Sequence, residues 1–283
     1  MQTQKVSIHN LKQAKTEQRK LVMLTAYDYP FALLAEEAGA DIVLVGDSLG
    51  MVVMGLEGTV AVSMEDMIHH TQAVVRGCTT PLVVGDMPFM SYNISIPEAI
   101  RNAGRLMKEG GCDVVKLEGG VDFAPTVQAI VKAGIPVMGH IGLTPQTASA
   151  LGGFKTQGRD LSGAKQIIED AKALEAAGAF SLILEAVPAP LGKLVTESVG
   201  IPVIGIGAGS DVDGQVLVTH DLIGLFDKFV PKFVKQYTQI RPVILDALTA
   251  YKQEVQEQAF PAREHSFAMP EETLEALKKS LDE

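Results

Sequence analysis

The chain of 283 residues has no tryptophan and only two cysteines, Cys78 and Cys112. Two cysteines without a CxxC spacing build no disulfide framework, so a reducing, cytoplasmic setting is expected. Long apolar runs are also missing. None approaches the roughly 20 residues that span a bilayer, so no membrane partner is expected. The opening stretch MQTQKVSIHNLKQAKTEQRK holds no apolar segment of signal-peptide type, and a secretory leader is not expected. Positive charge is scarce: 24 Lys and Arg stand against 34 Asp and Glu, a net charge of −10. With no Lys/Arg cluster, a nucleic-acid partner is not expected. An anionic substrate would then need a metal or a well-placed lysine to hold it. No GxGxxG follows the first apolar run, which weighs against a dinucleotide fold, and no linker or low-complexity stretch divides the chain.

What the chain does have is apolar residues, 47% of the total. That is enough for one large core with buried subunit interfaces besides, and a homo-oligomer is expected. Eight short apolar runs recur: 20–28, 41–48, 81–88, 113–120, 136–142, 181–188, 202–209 and, less clearly, 214–220. They are near-continuous rather than alternating, as strands of a parallel sheet buried on both faces are. Helical stretches lie between them. Residues 63–77 open on a capping-box pattern, Ser63 with Asp66, residues 96–111 have Pro97 near the start, and 30–39 and 162–178 are further helices. Eight strand-then-helix units predict an α/β fold, a (β/α)8 TIM barrel. It forms a single domain over 1–283, with 229–283 as a C-terminal helical extension.

Active sites of such barrels sit at the C-terminal ends of the strands. Polar residues stand at those ends here: Tyr27 and Asp28, Asp47 and Ser48, Asp86, Lys116 and Glu118, His140, and Glu185. Lys116 and Glu118 are two apart and share one face of their strand. Asp47, Asp86 and Glu118 offer three hard oxygen donors from adjacent strands, a set that suits Mg²⁺. His140 is the only histidine at the mouth, which argues against zinc. The plainer reading of the two aspartates is helix N-capping. Lys116 suits a substrate carboxylate, a Schiff base or a salt bridge to Glu118 or an aspartate. A metal makes the Schiff base redundant, because it polarises a carbonyl itself. His140 suits a hydrogen bond to a substrate oxygen or a structural role. Glu185 follows four apolar residues, a setting for a general base, or else for a pair with His140 or Lys116. The glycine loop 205–214 is weak evidence for phosphate binding. His69 and His70 point about 100° apart on a helix and make a poor chelate.

The motifs TAYDYPFA, VGDSLGM, DMPFMSY, VKLEGG, GHIGLTPQ, LEAVP, IPVIGIGAG and REHSF together resemble the ketopantoate hydroxymethyltransferase family of the phosphoenolpyruvate/pyruvate barrel superfamily. They run in family order from about residue 20 to 267. The resemblance implies a Mg²⁺-dependent, aldol-type transfer of a hydroxymethyl group in pantothenate synthesis. The donor would be 5,10-methylenetetrahydrofolate, the acceptor 3-methyl-2-oxobutanoate and the product 2-dehydropantoate. It places metal ligands on Asp47, Asp86 and Glu118, and keto-acid contacts on Asp47, Ser48, Asp86 and Lys116. Glu185 becomes the proton acceptor and His140 a substrate-side histidine. It also implies a homodecamer. The tail AMPEETLEALKKSLDE runs past the point where shorter members end. A Mg²⁺-dependent C–C lyase of the isocitrate lyase-like group is the alternative. Such lyases carry a cysteine in a flexible loop, where neither Cys78 nor Cys112 is placed. No tryptophan is available to stack a pterin, so the folate site is not legible.

Overall fold

A computed structural model describes residues 4–149 and 153–282. Eight parallel strands close into a barrel in sequence order. They are β1 Leu21–Thr25, β2 Ile42–Val45, β3 Leu82–Asp86, β4 Val114–Glu118, β5 Val137–Gly142, β6 Ser181–Glu185, β7 Val203–Ile206 and β8 Gly214–Leu217. Every one lies within the span expected for it. The connections are helical: α1 Ile8–Thr16 precedes the barrel, and α2 Tyr29–Glu37, α3 Leu49–Val52, α4 Met64–Gly77, α5 Ile96–Arg105 and α6 Ala124–Lys132 follow in turn. Then come α7 Leu161–Ala176, α8 Ala189–Ser198 and α9 Thr219–Leu222. The capping box on α4 forms as expected, with Ser63 and Asp66 each bonding the other's backbone N–H.

Alternation along the strands builds two layers. Val43, Val45, Val83, Val115, Leu117 and Leu184 face outward into one apolar cluster with the helices. Ile42, Leu44, Leu82, Val84, Val114, Met138 and Ile183 fill the barrel interior. From below, Val6, Leu11 and Ala14 join that interior cluster, so α1 plugs the N-terminal end.

A repeated device reinforces that lower end. Asp41, Asp113 and Asp213 stand just before β2, β4 and β8. Each accepts a backbone N–H from the preceding strand or its edge: Val22 at 2.9 Å, Val83 at 2.7 Å and Val203 at 2.9 Å. Each also pairs with a cation from the N-terminal segment: Arg19 with Asp41 at 2.9 Å, Lys5 with Asp113 and Lys15 with Asp213, both at 2.8 Å.

The chain divides into two compact units. Residues 226–235 belong with the barrel, and the second unit comprises 223–225 and 236–283. An extension beginning at residue 229 was expected; the change to the second unit instead falls at Gln236, because Phe229 and Phe233 line the barrel's cavity. The second unit carries helices α10 Ile240–Gln256 and α11 Glu271–Leu281. Among the described residues, no helix is long and apolar enough to cross a membrane.

Candidate active site

The inward register that fills the barrel with apolar residues also builds the site. Residues 82 and 84 point inward, and so therefore does Asp86. In the same way Val114 is followed by Lys116 and Glu118, Met138 by His140, and Ile183 by Glu185. The top layer of the interior is thus polar where the layers beneath are apolar. Pairing register sets Asp86 beside Lys116 and Glu118 beside His140. Asp47, just past β2, donates its backbone N–H to Asp86 Oδ2 at 3.2 Å.

Charges alternate around this layer. Lys116 Nζ lies 2.8 Å from Asp86 Oδ1 and 4.0 Å from Glu118 Oε1. His140 Nδ1 lies 3.3 Å from Glu118 Oε1, and its Nε2 lies 3.1 Å from Glu185 Oε2. Asp86 Oδ1 and Glu118 Oε1 are buried, and although cations stand near, neither takes a well-angled hydrogen bond. Among the described residues, no three acid, histidine or cysteine side chains form a ready-made metal cluster. The Lys116 ammonium supplies the countercharge.

Burial opposes ionisation here, and neighbours decide each outcome. Asp47 is pushed well up by burial and by the charges of Asp86 and Glu118. Asp86 is also pushed up by burial, against the pull of Lys116. For Glu118, burial is outweighed by His140, Lys116 and the Gln146 N–H, which hold its carboxyl below the ordinary range. For Lys116, burial is outweighed by Asp86, Glu118 and Asp47, so the ammonium persists above the usual lysine range. Burial and Lys116 oppose protonation of His140, but Glu118 and Glu185 hold its pKa up at about 9.

Glu185 was expected in an apolar setting. It is instead partly exposed and paired with His140, the plainer of its two readings, while still lining the cavity. Its placement is tightly made. Ala186, next in sequence, has φ +48°, a conformation that costs a non-glycine residue energy. Gly142 has φ +90°, and a Cβ there would stand 2.3 Å from the Glu185 carbonyl oxygen. The strained corner aims Glu185 back over the barrel.

Asp47 and Asp86 do not cap helices. Asp28 does: its Oδ1 accepts the Phe31 N–H at 2.9 Å. Ser48 Oγ shares a hydrogen bond of 2.8 Å with the Tyr27 hydroxyl. His70 packs against the same tyrosine, with Nδ1 2.6 Å from the Tyr27 carbonyl oxygen. Cys78 and Cys112 are buried, which pushes their thiols up to about 11 and about 12, and neither lines the cavity.

Sequence reasoning missed Gln146, buried in a short turn after β5. Its Nε2 donates to Asp47 Oδ2 at 2.8 Å and to the Met87 carbonyl at 2.9 Å. Its backbone N–H donates to Glu118 Oε2 at 3.0 Å, and its Oε1 accepts from the Tyr92 hydroxyl at 2.6 Å. One residue thus orients two carboxylates, Asp47 through its side-chain amide and Glu118 through its backbone N–H. Gln146→Leu is expected to lower the free energy of unfolding by at least ~2 kcal/mol, since it strands several buried polar groups. Urea denaturation checks this; a loss within about 0.5 kcal/mol would show that the web does not hold the carboxylates.

The polar layer opens onto a cavity of about 170 Å³. Ser48, Asp86, Lys116, His140 and Glu185 line it, and Leu44, Ile183, Ile206 and Val216 stand among its apolar lining.

The model of the ketopantoate hydroxymethyltransferase family matches residues 5–263. The chain belongs to that family. A 3-methyl-2-oxobutanoate hydroxymethyltransferase of Heliobacterium modesticaldum is 58% identical over 268 residues, 95% of this chain and 97% of the relative. One of Carboxydothermus hydrogenoformans is 56% identical over 273 residues, 96% and 99% of the two chains. The family supports the expectation of an enzyme, a hydroxymethyltransferase. Among solved structures, a phosphonopyruvate hydrolase complex with oxalate and Mg²⁺ superposes with a TM-score of 0.61 at 12% identity, covering 96% of this chain and 95% of that one. A 2,3-dimethylmalate lyase of the PEP mutase/isocitrate lyase superfamily gives 0.58 at 12% identity, over 96% and 98%. At such identity these two bear on the fold, the barrel expected from the sequence.

Proposed function

We propose that this enzyme transfers a hydroxymethyl group from 5,10-methylenetetrahydrofolate to 3-methyl-2-oxobutanoate, giving 2-dehydropantoate for pantothenate synthesis. The observation that carries the reading is the polar layer itself. The Lys116 ammonium, the Asp86 carboxylate and the His140–Glu185 pair line one small cavity whose lining is otherwise largely apolar, with Asp47 and Glu118 buried behind them. That matches a short branched 2-oxo acid: charge at one end, an isopropyl group at the other.

Mg²⁺ fits the donor set. Asp47, Asp86 and Glu118 supply hard oxygens. Asp86 Oδ1 and Glu118 Oε1 lack well-angled hydrogen bonds, and the three buried carboxylates outnumber the two buried cations, Lys116 and His140. These three residues would hold the ion, which when bound polarises the keto group and makes the adjacent C–H acidic.

The remaining work falls to side chains. Lys116 and Ser48 bind the substrate carboxylate, and Asp47 and Asp86 keep Lys116 charged and aimed. Glu185 accepts the proton from C3. His140 steadies Glu185 through Nε2 and stands ready to bond a substrate oxygen. Water releases the donor's one-carbon unit at the formaldehyde level, both carbon–nitrogen bonds breaking with tetrahydrofolate as the leaving group. The enolate carbon then adds to that carbon, and the alkoxide formed takes up a proton to give the alcohol.

The deciding assay measures tetrahydrofolate-dependent formation of 2-dehydropantoate from 3-methyl-2-oxobutanoate, with and without EDTA. No product in the presence of Mg²⁺ overturns the reading. Lys116, 2.8 Å from Asp86 Oδ1 and held as an ammonium by its carboxylate neighbours, argues against an imine route. Borohydride reduction in the presence of 3-methyl-2-oxobutanoate is expected to leave the protein mass unchanged; an adduct on Lys116 would reverse its role.

The exposed apolar residues Val243, Ile244, Leu248 and Tyr251 of α10 supply a surface for self-association, and the family resemblance suggests a homodecamer. Two free, buried cysteines fit a reducing, cytoplasmic setting.

A further inference from the structure

One buried acid in the cavity takes no part in the chemistry above. Asp221 lies on α9, just beyond β8, and is 7% exposed. It lines the same cavity as Lys116 and Glu185. Its Oδ1 is sealed from solvent and has no hydrogen-bond partner among the described residues. The other acids of the layer have company: Asp86 has Lys116, while Glu118 and Glu185 have His140. A carboxyl buried without a partner is costly, and burial pushes this one up to about 6.

Its surroundings narrow what could satisfy it. The chain after α9 turns back, with the Phe226 N–H bonded to the His220 carbonyl at 3.2 Å. Phe226, Phe229 and Phe233 then line the cavity beside Asp221. Gly207, with φ +67°, admits the Phe233 ring: a Cβ there would stand 2.7 Å from Cδ1. The neighbouring His220 is occupied elsewhere, packed on Tyr27 and Phe31 at ring separations of 5.3 and 4.9 Å. A buried carboxyl in a cavity also lined by Phe226, Phe229 and Phe233 suits a flat ring carrying adjacent N–H donors. The ring stacks on such side chains, and a carboxylate accepts two parallel N–H bonds in one plane.

We propose that Asp221 is the recognition carboxylate for the one-carbon donor, accepting the paired N–H groups of the 2-amino-4-oxopyrimidine edge of a reduced pterin. This rests on the folate-dependent transfer proposed above.

The test separates the two substrates. Asp221→Asn keeps the shape and replaces one acceptor by a donor. It is expected to raise KM for 5,10-methylenetetrahydrofolate roughly 10- to 100-fold, the scale of hydrogen bonds to a charged group. KM for the keto acid should move by less than about threefold, within the tenfold that 1.4 kcal/mol represents. Calorimetry with tetrahydrofolate, and competition by 6-methyltetrahydropterin, which carries the ring without the glutamate tail, should show the same loss. An unchanged folate KM in an active Asp221→Asn enzyme overturns the proposal, as does an equal rise in both constants. Should Asp221→Asn not fold, Phe226→Leu leaves the carboxyl in place and thins the wall. It should again raise only the folate KM, and an unmoved value overturns the slot. A wild type that binds tetrahydrofolate but transfers nothing refutes the transfer reaction instead, and calorimetry on the variant still reads the role of Asp221.

Discussion

Asp86→Asn is expected to abolish turnover while the barrel stays folded. At the end of β3, Asp86 Oδ1 stands 2.8 Å from Lys116 Nζ without a well-angled hydrogen bond, and Oδ2 accepts the Asp47 N–H. The amide keeps the size and one acceptor but loses the charge. Three consequences follow together. A hard donor is lost from the three that fit Mg²⁺. Lys116 loses its nearest anion and with it the alignment that presents the ammonium to a substrate carboxylate. The backbone at Asp47 loses its charged acceptor. Breaking a buried ion pair costs roughly 3–5 kcal/mol when the remaining charge is left uncompensated. Here Glu118, 4.0 Å from the ammonium, still answers it, so the variant should melt lower but cooperatively. Titration calorimetry should show weakened Mg²⁺ binding, and the same holds for Asp47→Asn. Wild-type Mg²⁺ affinity in Asp86→Asn would remove this residue from the metal site.

Glu185→Gln should bind the keto acid yet exchange the C3 hydrogen of 3-methyl-2-oxobutanoate at least ~100-fold more slowly, the lower end of what general base catalysis contributes. The substitution keeps the corner formed by Ala186 and Gly142, since both act through backbone. It also keeps an oxygen or nitrogen within reach of His140 Nε2. What it removes is the lone pair that takes the proton. Proton NMR in D₂O reads the exchange directly, with and without tetrahydrofolate so that closure on the co-substrate is covered. Wild-type rates in Glu185→Gln would transfer the role to His140, whose Nε2 stands 3.1 Å from Glu185 Oε2.

The strands and their chemistry were legible for one reason: a parallel barrel strand is buried on both faces, so its apolar run stands out, and the polar residue that ends it stands out more. Asp86, Lys116, Glu118, His140 and Glu185 could therefore be picked before any coordinates. Which partner each takes could only be narrowed. For Glu185 a pair with His140 or Lys116 stood beside the apolar setting, and the structure selects His140, 45 positions away on the adjacent strand. Gln146 carries no charge and sits in a turn after Pro145; only contacts reaching 28 to 99 positions along the chain reveal it. Helix α1 escaped notice because a plug needs only a few apolar side chains, and Leu11 and Ala14 are its buried ones. Residues 229–235 read as the start of a helical tail because no strand follows them, yet Phe229 and Phe233 line the cavity.

The aspartate staples at the closed end of the barrel also bear on how the chain is born. Lys15 and Asp213 are 198 positions apart, so the plug leaves the ribosome long before its farthest anchor. At about 5–20 residues per second, α1 waits on the order of 10 to 40 seconds for β8. Its partners arrive in succession: Asp41 first, for Arg19, then Asp113, for Lys5, and last Asp213. Each arrival pins one more strand pair. The final one coincides with the pairing of β1 to β8 that closes the ring. Until then Leu11 has an unfinished barrel to cover, and a truncated chain ending before residue 213 should be held open at its base and be drawn to chaperones or proteases.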